Sequence, residues 1–247
     1  MRIISTVPSI TELLYDLNLE DEIVGITKFC VHPNHWYRNK TRVGGTKTLD
    51  IQKILELKPD LIIANKEENV KEQIEELSKH TKTIVTNIKT VEDNYKLIDI
   101  VSKNTNRSEE GKVLCEKYDK ALYTIAQHKV AFTAAYLIWE NPIMTIGKDT
   151  YIHSVLNLCG IENVAKENTR YPTISLDELQ DFKSDMILLS TEPFPYKEKH
   201  VQIYKKQFPH TKIMIADGEL FSWYGTRLIN SLDSIISFLK DCGAGVN

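Results

Sequence analysis

At 247 residues the chain is long enough for one large domain or for two lobes of roughly 100 residues each. Hydrophobic residues make up 42% and charged residues 26%, which excludes a disordered or collagen-like chain. A formal charge of −3 supplies no net positive field, so a general nucleic-acid binder is excluded as well.

The opening "MRIISTVPS" has one Arg and few apolar residues before a Pro, far short of an export-signal core. A start at Met1 would therefore place the protein in the cytoplasm. "RIISTV" reads as a strand, and "PSITELLYDL" as a helix with Ser9 and Glu12 at capping-box spacing. "EIVGIT" is the next strand. "LDIQKILEL" puts Ile51, Ile54 and Leu55 on one helical face, and "DLIIA" is the continuous apolar run of a parallel strand covered on both sides. "EENVKEQIEELSKH" reads as a helix, "KTIVTNI" as a strand and "TVEDNYKLIDIVSKN" as a helix. This alternation predicts a parallel sheet flanked by helices.

From Ser108 to about His128 the pattern changes to one long helix, with Leu114, Tyr118, Ala121 and Ile125 on a single apolar stripe. Some 20 helical residues span roughly 30 Å, the diameter of a small lobe. Alternation then resumes. "VAFTAAYLIW" and "IMTIG" read as strands, and "TYIHSVLNLCG" as a helix closed by Gly160. They are followed by "SLDELQDF" (helix), "DMILLS" (strand), "KEKHVQIYKKQF" (helix), "KIMIAD" (strand) and "LINSLDSIISFLKDCG" (helix). The expected organisation is an N-terminal α/β lobe (1–104), a linker helix (105–129) and a C-terminal α/β lobe (130–247), with a cleft between the lobes. Two segments support it by internal repetition. "LDIQKILELKPDLIIANKE" (Leu49–Glu67) and "ISLDELQDFKSDMILLSTE" (Ile174–Glu192) align residue for residue, pairing Lys58 with Lys183, Asp60 with Asp185 and Glu67 with Glu192.

Ligands of open α/β sheets bind outside the carboxyl ends of the strands. In the first lobe the corresponding loops carry Thr6, Pro8 and Ser9, then Lys28, Phe29, Cys30 and His32, then Asn65 to Glu67. In the second they carry Trp139 to Asn141, Lys148 and Tyr151, Glu192 and Phe194, and "DGELFSWYGTR" from Asp217 to Arg227. Trp139, Tyr151, Phe194, Phe221, Trp223 and Tyr224 would wall a mostly apolar small-molecule pocket. Enzyme signatures are lacking. "VGGTKT" has no phosphate-loop spacing, and Gly44 and Gly45 suit a tight turn near a ligand instead. No GxSxG elbow is present. His32 and His35 of "HPNH" are the weak metal candidates, with no third ligand indicated. Glu67 with Glu68, or Asp217 with Glu219, would do acid–base work only by converging. Cys30, Cys115, Cys159 and Cys242 lack CxxC spacing and read as free thiols.

"RIISTVPSITELLYDLNLEDEIVGIT", "RVGGTKTLDIQKILELKPDLIIA", "IGKDTYIHSVLNLCGIENV" and the late "WYGTRLINSL" resemble the substrate-binding proteins of ABC importers for cobalamin, haem and iron siderophores. The resemblance covers nearly the whole chain. It implies two α/β lobes, each with a parallel sheet, joined by one long rigid helix, with the ligand held between them. It also implies a monomer located in the periplasm or on an extracytoplasmic membrane anchor, with no enzymatic activity and no built-in cofactor. The cargo would be a cobalt or iron chelate. In that family one surface glutamate on each lobe meets arginines of the permease, and Glu67 and Glu192 are the matching positions. The expected ligand-binding residues are Ser9, Phe29, Thr46, Trp139, Tyr151, Phe194, Trp223, Tyr224 and Arg227, with Arg227 and Lys148 neutralising acidic groups on the ligand. The family's cobalamin binders tend to place an aromatic where Thr46 stands, and Trp223 or Phe29 would then supply the missing face. Tyr151, Tyr224 and His32 are the candidates for an axial haem ligand. The rival reading is a cytoplasmic enzyme or cofactor-handling protein that has kept the receptor fold.

Overall fold

The computed structural model describes residues 1–243 and divides them into two units. The first comprises Met1–Ile88, Glu92–Tyr118 and Tyr224–Arg227; the second comprises Lys89–Val91, Asp119–Trp223 and the chain from Leu228 onward. Among the described residues no helix is long and apolar enough to cross a membrane.

In chain order the first unit contains β1 (Ile3–Ser5), α1 (Pro8–Asp16), β2 (Ile23–Ile26), α2 (Asn34–Asn39), β3 (Thr41–Arg42), β4 (Gly44–Gly45), β5 (Thr48–Leu49) and α3 (Ile51–Glu56). It continues with β6 (Leu61–Asn65), α4 (Lys71–Ser78), β7 (Lys82–Thr86), α5 (Asp93–Asn104) and the first part of α6 (Ser108–Gln127). Its sheet runs β3-β2-β1-β6-β7 and every pairing is parallel. All five residues of β6 are buried, as its unbroken apolar run requires at the position beside β1. Ile4, Val43, Ile54, Ile62 and Leu77 pack into one core cluster. Each such side chain contributes about 1.5–3 kcal/mol when fully buried.

The second unit contains β8 (Phe132–Leu137), α7 (Tyr151–Leu158), β9 (Ile161–Asn163), α8 (Leu176–Asp181), β10 (Met186–Ser190) and α9 (Glu198–Gln207). It ends with β11 (Lys212–Ala216), α10 (Gly218–Ser222), α11 (Arg227–Asn230), whose first residue counts with the first unit, and α12 (Leu232–Cys242). The sheet order β11-β10-β8-β9 is again all parallel. The chain is thus α/β, with two parallel sheets flanked by helices.

The repeated segment is built the same way twice. Asp50 caps α3 by accepting the Lys53 N–H at 3.1 Å, and Ser175 caps α8 by accepting the Glu178 N–H at 3.1 Å. Each helix is closed by a lysine in the left-handed region, Lys58 at φ 46° and Lys183 at φ 48°. A non-glycine residue there costs of order 1 kcal/mol, so a turn shared at both places reflects common construction. Asp60 accepts the Arg2 N–H ahead of β1, and Asp185 accepts the Thr133 N–H within β8, both at 2.7 Å. The strands that follow occupy corresponding places, because β2-β1-β6-β7 maps onto β9-β8-β10-β11.

Several expectations are corrected. Pro8, with no N–H to lose, takes the first helical position of α1, and Val7 becomes its N-cap. The Ser9–Glu12 capping box therefore does not form. "IMTIG" is not a strand; Met144 makes only isolated bridges to Trp139 and Thr173. Of the two weak metal candidates in "HPNH", His32 precedes α2 and His35 lies within it, so they do not share the single loop that their spacing suggests. The last predicted helix is interrupted at Ser231 into α11 and α12. Tyr224–Arg227 groups with the first unit, where Gly225 N–H donates to Asn94 Oδ1 at 2.7 Å and Arg227 pairs with Glu12. The α6 stripe of Leu114, Tyr118, Ala121 and Ile125 is buried as expected, and the four cysteines are free thiols.

Candidate functional site

In the first unit, the loops at the carboxyl ends of β1 and β6 and the β4–β5 hairpin are tied together by Asn69. Its Oδ1 accepts from the Thr6 hydroxyl at 2.9 Å and from the Asn65 N–H at 2.9 Å, while its Nδ2 donates to the Thr46 carbonyl at 3.0 Å. Asn69 was not among the sequence candidates. An Asn four residues past a strand looks like any loop residue, and only its burial reveals the role.

The β4–β5 hairpin turns at Thr46 and Lys47, and in its first strand Gly44, paired with Leu49, holds φ 98°, a conformation open to glycine, where an added Cβ would stand 2.3 Å from the Thr48 carbonyl. Next to it, an added Cβ on Gly45 would lie 3.2 Å from both the Phe29 ring and the Lys28 chain. Phe29 thus lies over the hairpin beside Thr46 yet remains 51% exposed, with Lys28 Nζ 5.2 Å from its ring centroid. An exposed ring flanked by a cation suits a flat ligand that carries acidic groups.

Three other first-unit candidates, Ser9, Tyr224 and Arg227, are enclosed. Ser9 is buried in α1. Arg227 Nε lies 3.1 Å from Glu12 Oε2, and both side chains are buried, so its charge is met by a protein carboxylate. Tyr224 is buried too; desolvation and then the carboxylate of Glu68 hold its phenol well above the ordinary range, against the hydroxyl of Thr86. Glu68 itself titrates above the usual carboxylate range because it is desolvated, an effect reduced by Lys47. His32 is half-buried, and the exposed His35 lies 3.5 Å from Glu20 and edge-on to Tyr15. No group of three or more His, Cys, Asp or Glu side chains placed to hold a metal occurs among the described residues.

In the second unit, Trp139 follows β8 and is 39% exposed. Its indole N–H donates to the Asn141 carbonyl at 3.1 Å, and its ring meets Phe194 edge-on at 5.7 Å between centroids. Tyr151 is buried at the first position of α7, and Lys148 is exposed. Trp223 is buried, with its indole N–H 3.1 Å from Glu192 Oε2. Asp217 caps α10 by accepting the Glu219 N–H, which uses that pair locally.

The two glutamate loops correspond in detail. Asn65 Oδ1 accepts the Glu67 N–H at 2.8 Å, and Ser190 Oγ accepts the Glu192 N–H at 3.3 Å. Lys66 N–H donates to the Thr86 carbonyl and Thr191 N–H to the Ala216 carbonyl, at 2.9 and 3.0 Å. Both glutamates are half-buried. They differ in surroundings: Lys47 donates to the Glu67 carbonyl, whereas Glu192 holds the Trp223 indole and lies against Gly218.

The chain is 23% identical to a vitamin B12-binding protein of Pectobacterium atrosepticum over 97% of its own length and 88% of that protein's. It is 28% identical to a vitamin B12-binding protein of Vibrio cholerae over 77% and 70% of the two chains. The crystal structure of the periplasmic haem binding protein HutB of Vibrio cholerae has the same fold, with a TM-score of 0.82, 21% identity and coverage of 97% of this chain and 98% of that one. The family described as periplasmic binding protein matches residues 3–208, most of the chain, and the protein belongs to that family.

Proposed function

We propose that the protein is the substrate-binding component of an ABC importer, working outside the cytoplasm, and that its cargo is a metal-bearing chelate: a corrinoid, haem or an iron siderophore. The observation that carries this reading is the alignment of relatives named for vitamin B12 binding along 97% of the chain. The exposed aromatics agree with it. Phe29 in one unit and Trp139 in the other are large rings left open at the carboxyl ends of their sheets, where α/β proteins bind ligands. Lys28 adds a cation for an acidic substituent. Tyr151, Trp223, Tyr224 and Arg227 serve as the supporting frame, since they are buried and Arg227 is already paired.

Glu67 and Glu192 are the proposed permease contacts. Their matching backbone settings support that role, and paired acidic contacts of this kind govern the orientation and rate of docking more than its strength. Thermal-shift and absorbance measurements against cobalamin, cobinamide, haemin and ferric siderophores test the cargo. The double variant Glu67→Arg, Glu192→Arg is expected to bind chelate normally and to fail to stimulate its permease. Loss of chelate binding would instead make these glutamates part of the ligand site.

A further inference from the structure

Against Phe194, the ring that Trp139 meets, lies a buried histidine that none of the foregoing roles uses. His200 stands in the first turn of α9, and its side chain is 6% exposed. Its Nδ1 accepts the Lys197 N–H at 2.7 Å, so the ring proton of the neutral form sits on Nε2. That nitrogen faces Glu140 Oε2 at 3.6 Å, and Glu140 is the residue next to Trp139. The same imidazole meets Phe194 and Tyr196 edge-on, at 5.5 and 5.4 Å between centroids. Phe194 in turn carries Trp139, and its N–H donates to the Ile138 carbonyl at 3.3 Å. The loop after β8 is thus touched by His200 along two routes: through the Glu140 carboxylate and through the Phe194 ring.

We infer that His200 is a positioning residue, which together with Glu140 sets the orientation of the exposed Trp139 ring and so the fit of the chelate lying on it. Three features support a role beyond core filling. The ring is fixed in rotation by the backbone N–H at one nitrogen, so its other nitrogen has a defined direction. The proton on that buried nitrogen calls for an acceptor, and the carboxylate on its side is that of Glu140, the neighbour of Trp139. Finally, the Glu140 and Phe194 contacts both lead to the loop of this unit that leaves a tryptophan open to solvent. The consequence for ligand binding rests on the chelate-binding reading above; the effect on Trp139 does not.

The test uses the full chain labelled with 5-fluorotryptophan, whose Trp139 resonance is identified by its loss in Trp139→Phe. Without ligand, His200→Phe keeps a ring of similar size but loses both nitrogens. It is expected to shift or broaden the Trp139 resonance while leaving those of Trp36 and Trp223 in place. Glu140→Gln, at a half-exposed site that tolerates change, is expected to move the same resonance. Haemin or cobalamin affinity should fall roughly ten-fold in His200→Phe. A Trp139 resonance unmoved in both variants would overturn the proposal, including when His200→Phe fails to fold and only Glu140→Gln can be read. If the wild type binds no chelate but the resonance moves, the cargo reading fails and the positioning role stands.

Discussion

The Glu12–Arg227 pair allows the sharpest energetic prediction. It joins α1 to a segment near the end of the chain, with side chains 7% and 8% exposed and a 3.1 Å contact. Gly225 N–H to Asn94 Oδ1, and Asn94 Nδ2 to the Tyr118 hydroxyl at 2.6 Å, fasten the same segment within the first unit. Glu12→Gln removes a carboxylate that compensates a buried guanidinium. Breaking one partner of a buried pair costs about 3–5 kcal/mol. For a chain of this size each kcal/mol lowers the melting temperature by about 2–4 °C, so the variant should melt roughly 6–20 °C lower. Replacing both residues by methionine should recover most of the loss, because an apolar pair of similar volume leaves no unpaired charge. Urea and thermal denaturation of wild type, both single variants and the double variant complete the cycle. A loss under about 1 kcal/mol in Glu12→Gln would refute the argument that this pair holds the segment.

Three further outcomes follow from the geometry. The N–H and then the hydroxyl of Thr133 hold Asp185 below its ordinary value of 3.8. Its contribution is therefore present above that value and lost as pH falls through the depressed folded value; Asp185→Asn should be less stable at pH 7 and equal to wild type in strong acid, read by urea denaturation at each pH. Gly44→Ala forces a side chain into φ 98° and against the Thr48 carbonyl, and should cost at least about 1–3 kcal/mol by the same assay. Phe29→Ala, at an exposed ring, should leave the melting temperature within about 1–2 °C of wild type while weakening chelate binding in a spectroscopic titration.

Much of the architecture was legible because it is written in local periodicity. Continuous apolar runs marked β6 and β10, the four-three spacing marked the buried stripe of α6, and the repeated segment carried its caps, its left-handed lysines and its aspartates in register. Strands as short as β3, β4, β5 and β9 have too few residues to show a period, and they passed unread. Ser9 and Glu12 had the spacing of a cap, but Pro8 moved the helix start two positions earlier and freed Glu12 for Arg227. That pairing joins opposite ends of the chain, and no local pattern reports it. Arg227 looked available for a ligand for the same reason. His200 sits in a run of lysines that reads as a solvated helix face, while its burial arises from Phe194 and Tyr196 on the preceding loop.

Capture of a metal chelate is the function proposed for the chain. Titrating the purified protein with cobalamin, cobinamide, haemin and a ferric siderophore, followed by absorbance and by calorimetry, tests it directly. Saturable binding of at least one of them is expected, with a stoichiometry near one and with affinity reduced by Phe29→Ala and by Trp139→Phe. Absence of saturable binding to all four, from a protein that melts cooperatively, would contradict it.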